Sequence, residues 1–344
     1  MTSGKWRIRA AGMFLGLVHA AILFAGFVAP VEPTHQNRDF PFAPPTRLHL
    51  LDAQGDFHLR PFVCGRDLRL GTFFEYDENC ADHYPLRWFV NGNEYRIAGL
   101  FTARLHLFGV EAPGQVFVMG SDNFGRDVFS RVLYGGQVSL AAGLLATAVS
   151  LCLGALLGTF SGFYGGWIDE SFMRFAELFA LLPWLYLLLA VRAFLPLHIT
   201  PLRAFVLVVA VIGTIGWARP ARLVRGIVLS ARTRKYVLAS RGFGASDAHI
   251  LRRHVLPHTY GVLLTQAALL VPQYVIAEVT LSFFGLGLSE PMPSWGNLLA
   301  SLQQYNVLVS YWWMFAPTLA LVVLSFGYLL VADALQQHLQ SASV

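Results

Sequence analysis

Charged residues are scarce in this chain, at 13% of 344 residues, whereas 55% are hydrophobic and the mean hydropathy is +0.53. Soluble proteins carry about 25% charged residues. The shortage excludes an ordinary soluble domain and indicates a membrane protein. Lysine is rarer still, and neither Lys5 nor Lys235 lies in a Gly-x-x-x-x-Gly-Lys-Ser/Thr loop. This absence excludes nucleotide hydrolysis by a phosphate-binding loop of that kind.

Motifs for catalysis are also missing. The chain contains no His-Glu-x-x-His and no Gly-x-Ser-x-Gly sequence, which mark zinc peptidases and serine hydrolases. Its 11 histidines are scattered, and His249, His254 and His258 lie beside a basic stretch without a matching set of carboxylates. We therefore expect no enzyme active site, no metal and no cofactor bound by this chain.

Cysteine is limited to three positions. Cys152 lies in an apolar run and is interpreted as a small buried packing residue. Cys64 and Cys80 both lie in the long polar region of the chain, where a disulfide between them would form if that region is outside the cytoplasm. The spacing alone leaves a bonded and a free pair equally open.

Long apolar runs predict membrane helices, since about 20 apolar residues cross a bilayer. The first run follows Lys5, Arg7 and Arg9, which place the N-terminus in the cytoplasm. It could be a cleaved signal peptide, but its length favours an uncleaved helix. The six predicted spans are 10–30, 137–161, 171–194, 202–218, 258–284 and 311–332.

The polar region between the first two spans predicts a small β-rich insertion. Residues 86–90 and 94–97 flank Asn91-Gly92, a pair typical of a tight hairpin turn. A four-residue acidic run nearby is either a solvated surface or a docking patch for a partner. Further strands are predicted at 48–52, 57–62 and 115–119, and the acidic run consists of Glu75, Asp77, Glu78 and Asp82.

Charge distribution predicts the orientation. Residues 219–253 carry nine Lys and Arg but one acid, Asp247, and short basic loops mark the cytoplasmic side. An even number of crossings places both termini there as well. The predicted domains are 1–30 with the first span, 31–130 as the extracytoplasmic β-rich domain, and 131–344 as a five-helix core with a cytoplasmic loop at 219–257.

This basic loop has the pattern of a helix, a bend and a second helix. Residues 233–241 contain good helix formers, and Gly242 and Gly244 then favour a bend. Ser246 is a good cap for a helix beginning at Asp247. Pro257 marks the predicted junction with the fifth span. Such a protruding segment indicates a docking site for another protein.

Polar and small residues within the spans leave several interpretations open. Glu278 either faces a water-lined cavity or a partner helix, or makes a helix–helix hydrogen bond. Arg174 and Glu177 are spaced to pair on one helix. A stripe of small residues in the second span serves close packing or gating. Its members are Ala142, Ala146, Ser150, Gly154, Gly158 and Gly162.

Several blocks occur in an order typical of one transporter family. They are Gly-Ser-Asp-Asn-Phe-Gly-Arg-Asp at 120–127, Gly-Phe-Tyr-Gly-Gly-Trp-Ile-Asp at 162–169, Arg-Pro-Ala-Arg-Leu-Val-Arg-Gly at 219–226, Lys-Tyr-Val-Leu-Ala-Ser-Arg-Gly-Phe-Gly at 235–244, Leu-Ser-Phe-Phe-Gly-Leu-Gly at 281–287 and Pro-Ser-Trp-Gly-Asn at 293–297. With these blocks, about two thirds of the chain resembles the permease subunits of binding-protein-dependent ABC importers of the peptide/nickel type. It is most similar to the second permease subunit, which has one span before the shared blocks.

The resemblance implies half of a translocation pore, coupled through the loop to a separate ATPase that binds the ATP. Implied partners are a second permease subunit, two ATPase subunits and an extracytoplasmic solute-binding protein, at the cell (inner) membrane. Peptides are the expected solutes, ahead of nickel chelates and sugars. The implied coupling residues are Tyr236, Leu238, Ala239, Ser240, Gly242, Gly244, Ala245, Ser246, Asp247 and Pro257.

One departure from the family concerns this loop. Leu238-Ala239-Ser240 stands where the family usually has Glu-Ala-Ala, so either the ATPase contact is more apolar or the partner ATPase has changed to match. The alternative function is an ATP-independent secondary transporter or channel, for which Glu278 is the candidate coupling residue. An intramembrane enzyme and a scaffold built on the β-rich domain are more distant alternatives.

Overall fold

The structure is a computed structural model that describes residues 2–52, 55–69, 74–97, 101–181, 183, 186–187, 189–190 and 200–342. Two compact units are present. The helical unit consists of Met1–Leu15, Leu140–Leu281 and Leu324–Val344, and the strand unit of Gly16–Ser139 and Ser282–Val323. The predicted domain boundaries near 30 and 130 stay a prediction.

Helices make up most of the described chain. In order they are α1 (Thr2–Leu23), α2 (Ala25–Val28), α3 (Val128–Tyr164), α4 (Gly166–Leu181), α5 (Pro201–Ile215), α6 (Ala218–Arg232), α7 (Lys235–Gly242), α8 (Asp247–Ile250), α9 (Tyr260–Phe283), α10 (Trp295–Ala300), α11 (Tyr305–Ser310) and α12 (Ala316–Ala342). A π-helical turn lies at Leu251–Val255, and 3₁₀ turns lie at Leu256–Thr259, Ser301–Gln303 and Trp312–Phe315.

Four stretches of the described chain are long and apolar enough to cross a membrane. α5 and α6, bent by 41° at their junction, add a fifth if they are counted as one span. The predicted count of six is therefore not confirmed, and most of 182–199 in the predicted span 171–194 lies outside the described residues. The four stretches are Trp6–Leu23, Val128–Tyr164, Asp247–Phe283 and Trp312–Leu339.

Within the predicted loop at 219–257, the helix, bend and second helix predicted after residue 232 are present, and 219–232, for which no helix was predicted, is helical as well. α6 occupies its first part because buried side chains recur every three or four residues, as Ala221, Val224 and Val228 do. The basic residues lie on the other sides of this helix. The density of basic residues suggested a loop, although the spacing of the apolar residues was that of an amphipathic helix.

Five strands form the predicted β-rich insertion. β1 (His49–Leu51), β2 (Phe57–Leu68) and β3 (Tyr76–Pro85) make one antiparallel sheet in that order, and β4 (Arg87–Ile97) pairs with β5 (Phe101–Gly109). Cys64 on β2 and Cys80 on β3 are joined by a disulfide. Cys152, which was expected to be buried, is exposed on α3.

Two strand predictions are wrong. Asn91-Gly92 lies inside β4 at a shift in register, not in a hairpin turn. The glycine is needed for packing, since a Cβ there would lie 2.7 Å from the ring of buried His106. Residues 115–119 form turns and irregular backbone instead of a strand. There the backbone N–H of Phe117 donates to the hydroxyl of Thr46, and the backbone N–H of Thr46 donates to the carbonyl of Phe117.

The glycine-rich block at 120–127 leads into α3 through an ion cluster in the strand unit, in which Asp122 and both arginines are buried. Arg126 and Arg131 both contact Asp122 and Glu290, at distances of 2.6–3.2 Å. Asp127 accepts hydrogen bonds from the backbone N–H and the hydroxyl of Ser130, at 2.7 and 2.6 Å. This acid therefore satisfies backbone donors in the first turn of α3.

Candidate coupling site

The helix α7 is anchored on one side and exposed on the other. Val237 is 1% exposed and belongs to a core of the helical unit. Tyr236, Leu238 and Ala239 are exposed on α7, and Phe243 directly after it is 92% exposed. We call Tyr236, Leu238, Ala239 and Phe243 the loop face. It is an apolar surface on a basic segment of the chain.

A glycine turn ends α7. Gly244 has φ +81°, a left-handed conformation that costs glycine nothing but is unfavourable for other residues. The backbone N–H of Ala245 donates to the carbonyl of Ser240 at 3.1 Å and thereby satisfies one of the last carbonyls of the helix. The predicted bend at 242–244 is confirmed.

A serine cap begins the next helix. The hydroxyl of Ser246 accepts a hydrogen bond from the backbone N–H of His249 at 3.3 Å. Asp247 lies in the first turn, where its negative charge favours the positive end of the helix dipole. Its carboxylate also lies 3.3 Å from the Arg241 guanidinium, which ties the second helix to the end of α7.

The second helix continues without a break into α9, so that 247–283 forms one helical stretch. Pro257, predicted to mark the junction with the fifth span, lies in the 3₁₀ turn that directly precedes α9. Ile250 and Val255 are both fully buried in the core that holds Val237. The two residues are five positions apart, and they reach the same core because the π-helical turn at Leu251–Val255 brings residues at that spacing to one side of the helix.

A polar contact adds to this link between α7 and the helical stretch. The hydroxyl of Tyr236 lies 2.8 Å from the Nε2 atom of His258. The ring of Tyr236 also packs beside His254, at 5.8 Å between centroids. Tyr236 therefore contributes to the loop face and touches the helix behind it.

The first turn of α4 is held against α6 by an ion pair that the sequence did not reveal. The Asp169 carboxylate accepts hydrogen bonds from the Arg225 guanidinium, one of them at 2.5 Å, and from the Ser161 hydroxyl. The hydrogen bond from Arg225 is the main cause that lowers the pKa of Asp169. Arg232 donates to the carbonyls of Gly162 and Phe163, the last turn of α3.

The small-residue stripe of α3 lets α6 approach closely. A Cβ on Gly158 would lie 2.4 Å from the carbonyl oxygen of Ala221, and one on Gly154 would lie 2.6 Å from Pro220. Backbone contact of this kind requires glycine. The blocks at 162–169 and 219–226, far apart in sequence, therefore meet beneath α7.

A family model and several relatives of known name match this chain. A family model described as "Binding-protein-dependent transport system inner membrane component" matches residues 154–342. The dipeptide transport permease DppC of Bacillus subtilis (strain 168) is 36% identical over 64% of this chain and 67% of its own length. OppC, the oligopeptide transport permease of the same organism, is 34% identical over 66% and 72%. The glutathione transport permease GsiD of Pectobacterium atrosepticum is 33% identical over 67% and 74%.

This chain belongs to the family of inner-membrane components of binding-protein-dependent transport systems. It is a permease subunit of an ABC importer, and its predicted resemblance to permeases of the peptide/nickel type is confirmed. The strand insertion at 49–109 lies outside the matched segment 154–342, as does the start of α3.

The remaining predicted coupling residues of the permease lie around the loop face. Ser240 and Ala245 are half-buried at the bend. The others are exposed, and they are Gly242, Gly244, Ser246, Asp247 and Pro257. Phe243 was missed by sequence reasoning, although its position between two glycines is a signal for exposure at a bend.

The three charged residues that the sequence places in or near membrane spans differ in burial. Glu278 is fully buried within α9. Arg174 and Glu177 lie 3.8 Å apart on α4 with side chains 74% and 55% exposed, so they form a surface pair. Among the residues that the structure describes, one group has donor atoms close enough for a metal, His49 with Cys64 and Cys80. Because the two sulfurs are bonded to each other, this group does not fit a metal.

Proposed function

We propose that this permease forms half of a translocation pore and is driven by a separate ATPase that docks on the loop face. The observation that carries the proposal is the one-sided anchoring of α7. Val237 is buried in the core, while Leu238 is 55% and Phe243 is 92% exposed. Exposed apolar side chains grouped in this way mark contact surfaces between proteins.

The core beneath α7 provides a route for motion. Val237 shares this core with Val228 on α6 and with Val255 on the helical stretch that continues into α9. Packed interiors transmit displacement because they have little free volume. Closure of an ATPase dimer against α7 would move these helices together and switch the pore by rigid-body motion.

The contact is proposed to be apolar in character. Leu238 replaces the acidic residue that the family usually has, and both Leu238 and Phe243 are exposed. Buried aromatic side chains often dominate the binding energy of an interface. Phe243 is therefore the proposed anchor in the ATPase groove, and ATP is bound by that partner.

The assembly is proposed to contain a second permease subunit, two ATPase subunits and an extracytoplasmic solute-binding protein. The loop face and both termini are assigned to the cytoplasm. Two observations support this orientation, the nine Lys and Arg against Asp247 within 219–253 and the disulfide on β2 and β3. Disulfides persist in oxidising compartments outside the cytoplasm.

Short peptides are the proposed substrate class. The relatives are named for dipeptide, oligopeptide and glutathione transport, and each of these solutes contains amino acids joined by amide bonds. The common chemistry is a flexible zwitterion with variable side chains. This permease is proposed to conduct solutes of that kind.

The test compares the unmodified full-length permease with its Phe243→Asp variant. Each is tagged and purified in mild detergent from its own membranes. We expect the ATPase recovered per permease to fall at least tenfold, since losing a buried aromatic anchor costs about 2 kcal/mol or more. Quantitative mass spectrometry measures the ratio. Phe57→Asp is the control, because Phe57 is 65% exposed on β2.

An unchanged ATPase ratio in Phe243→Asp would refute docking at the loop face. Purification of the unmodified protein without any ATPase would favour the ATP-independent transporter instead. The variant must retain the yield of the unmodified permease, which is expected because Phe243 makes little contact within the chain at 92% exposure.

A further inference from the structure

The strand unit contains a cleft of about 980 Å³ that the coupling function does not use. Ligand pockets have volumes of about 300–1,000 Å³ and walls rich in aromatic side chains with a few polar groups. This cleft has both properties. Its aromatic walls are Phe42, Phe74, Tyr76, Tyr311 and Trp313.

Two of these walls are held in an unfavourable backbone conformation. Phe42 has φ +52° and Phe74 has φ +51°, in the left-handed region that residues with a Cβ rarely adopt. Their rings lie 5.8 Å apart. Strain of this kind clusters at functional sites, where the surroundings enforce it. Here it directs both rings toward the same space.

The other walls are fixed by specific contacts. Tyr311 stacks on Phe42 at 4.1 Å between ring centroids. The indole N–H of Trp313 donates to the carbonyl of Ser121 at 3.0 Å, and the Tyr76 hydroxyl donates to the carbonyl of Pro41 at 2.7 Å. The apolar surface is therefore preorganised, which lowers the entropy cost of binding.

Two charges of opposite sign line the same cleft. The guanidinium of Arg69 lies 3.1 Å from the carboxylate of Glu75, and their side chains are 53% and 60% exposed. Arg69 also donates two hydrogen bonds to the carboxylate of Asp77, one of them at 3.1 Å, which orient the guanidinium. A guanidinium suits a carboxylate ligand and a carboxylate suits an ammonium ligand.

We propose that this cleft binds a short peptide with an apolar or aromatic side chain. The side chain lies against Phe42, Phe74 and Tyr311, while the peptide termini exchange hydrogen bonds with Arg69 and Glu75. The inference rests on the proposed function for its substrate class. It adds a peptide site in the strand unit, distinct from the loop face.

Binding of the dipeptide Ala-Phe to the full-length permease in lipid nanodiscs tests the proposal, measured by isothermal titration calorimetry without ATPase. We expect Ala-Phe to bind at least tenfold more tightly than Ala-Gly, which lacks the ring. N-acetyl-phenylalanine amide, which lacks both charges, should also bind at least tenfold more weakly than Ala-Phe.

Glu75→Gln is expected to weaken Ala-Phe binding about tenfold, because it removes the acceptor for the ammonium group. The matched control is Glu94→Gln on β4, since Glu94 is 51% exposed and lies 3.1 Å from Arg104 in a similar surface pair. Tyr311→Leu should weaken Ala-Phe binding more than Ala-Gly binding. Unchanged thermal unfolding of Glu75→Gln would show that the variant is folded.

Equal affinities for Ala-Phe and Ala-Gly, no binding of Ala-Phe, or equal effects of Glu75→Gln and Glu94→Gln would each overturn the proposal. If the cleft instead receives a partner protein, Ala-Phe does not bind and Glu75→Gln weakens capture of that protein. The ATPase recovered with Phe243→Asp tests docking at the loop face and does not depend on whether the cleft binds a peptide. Failure of the peptide site is therefore distinguishable from failure of the coupling function.

Discussion

The carboxylate of Asp169 accepts two hydrogen bonds from the guanidinium of Arg225, and this pair joins the first turn of α4 to α6. Hydrogen bonds between charged groups contribute about 1.5–3 kcal/mol. We therefore expect Asp169→Asn to lower the free energy of unfolding by about 2 kcal/mol, measured by thermal unfolding in detergent.

Glu170→Gln is the control for that substitution. Its side chain is 70% exposed and lies 3.9 Å from Arg174, so the change should cost less than about 0.5 kcal/mol. Equal losses of stability in the two variants would contradict a structural role for the Asp169–Arg225 pair.

Asp127 predicts a pH dependence of stability. Burial raises the pKa of this carboxyl to about 6, whereas an unfolded aspartate titrates near pH 4. The folded pKa is the higher one, so the contribution of Asp127 is fully present below about pH 4 and is lost as the pH rises through about 6. The expected change is on the order of 2 kcal/mol.

Asp127→Asn should flatten this part of the profile, because the amide has no charge to desolvate and asparagine still caps a helix. Thermal unfolding temperatures between about pH 4 and pH 7 measure the difference. A variant with the same slope as the unmodified protein would show that another group is responsible.

Gly158 predicts a steric limit at the contact of α3 and α6. An alanine there would place its Cβ 2.4 Å from the carbonyl oxygen of Ala221. Overpacking of this kind costs about 1–3 kcal/mol, so Gly158→Ala should unfold at a lower temperature. Gly226→Ala on α6 is the control, because no atom lies within 4 Å of its added Cβ. Similar unfolding temperatures for both variants would contradict the close approach.

Gly244 predicts a conformational requirement for coupling. Its φ of +81° costs an alanine about 1–2 kcal/mol, and proline cannot adopt it. Gly244→Ala should reduce uptake several-fold, and Gly244→Pro should abolish it while membrane insertion is retained. Gly226→Ala is the control, since no atom lies within 4 Å of its added Cβ and it is not among the predicted coupling residues. Uptake of radiolabelled peptide by cells measures the effect, and normal uptake with Gly244→Pro would refute the role of the bend.

Local signals in the sequence predicted much of the coupling segment. Gly244 and Ser246 occupy the bend and the cap that their chemistry favours, because both preferences depend on a few neighbouring backbone groups. The membrane character and the β-rich insertion were also predictable, since they follow from hydropathy and from residue type. Assignment of Val237 as the buried anchor required the fold.

Contacts between distant segments were not predictable. Asp169 and Arg225 are 56 residues apart, and no periodicity connects them. Asn91-Gly92 has the local pattern of a turn, but the ring of His106 takes the space beside the glycine. In both cases tertiary packing decided among local options that the sequence left equal.

The unbroken helical stretch of 37 residues at Asp247–Phe283 has a mechanical consequence. At a rise of 1.5 Å per residue its length is about 55 Å. A tilt of about 5° displaces one end relative to the other by about 5 Å, close to the pitch of a helical turn. If an ATPase binds α7 as proposed, the stretch would act as a lever arm, and a small rotation at α7 would become a movement large enough to open or close a passage for a solute.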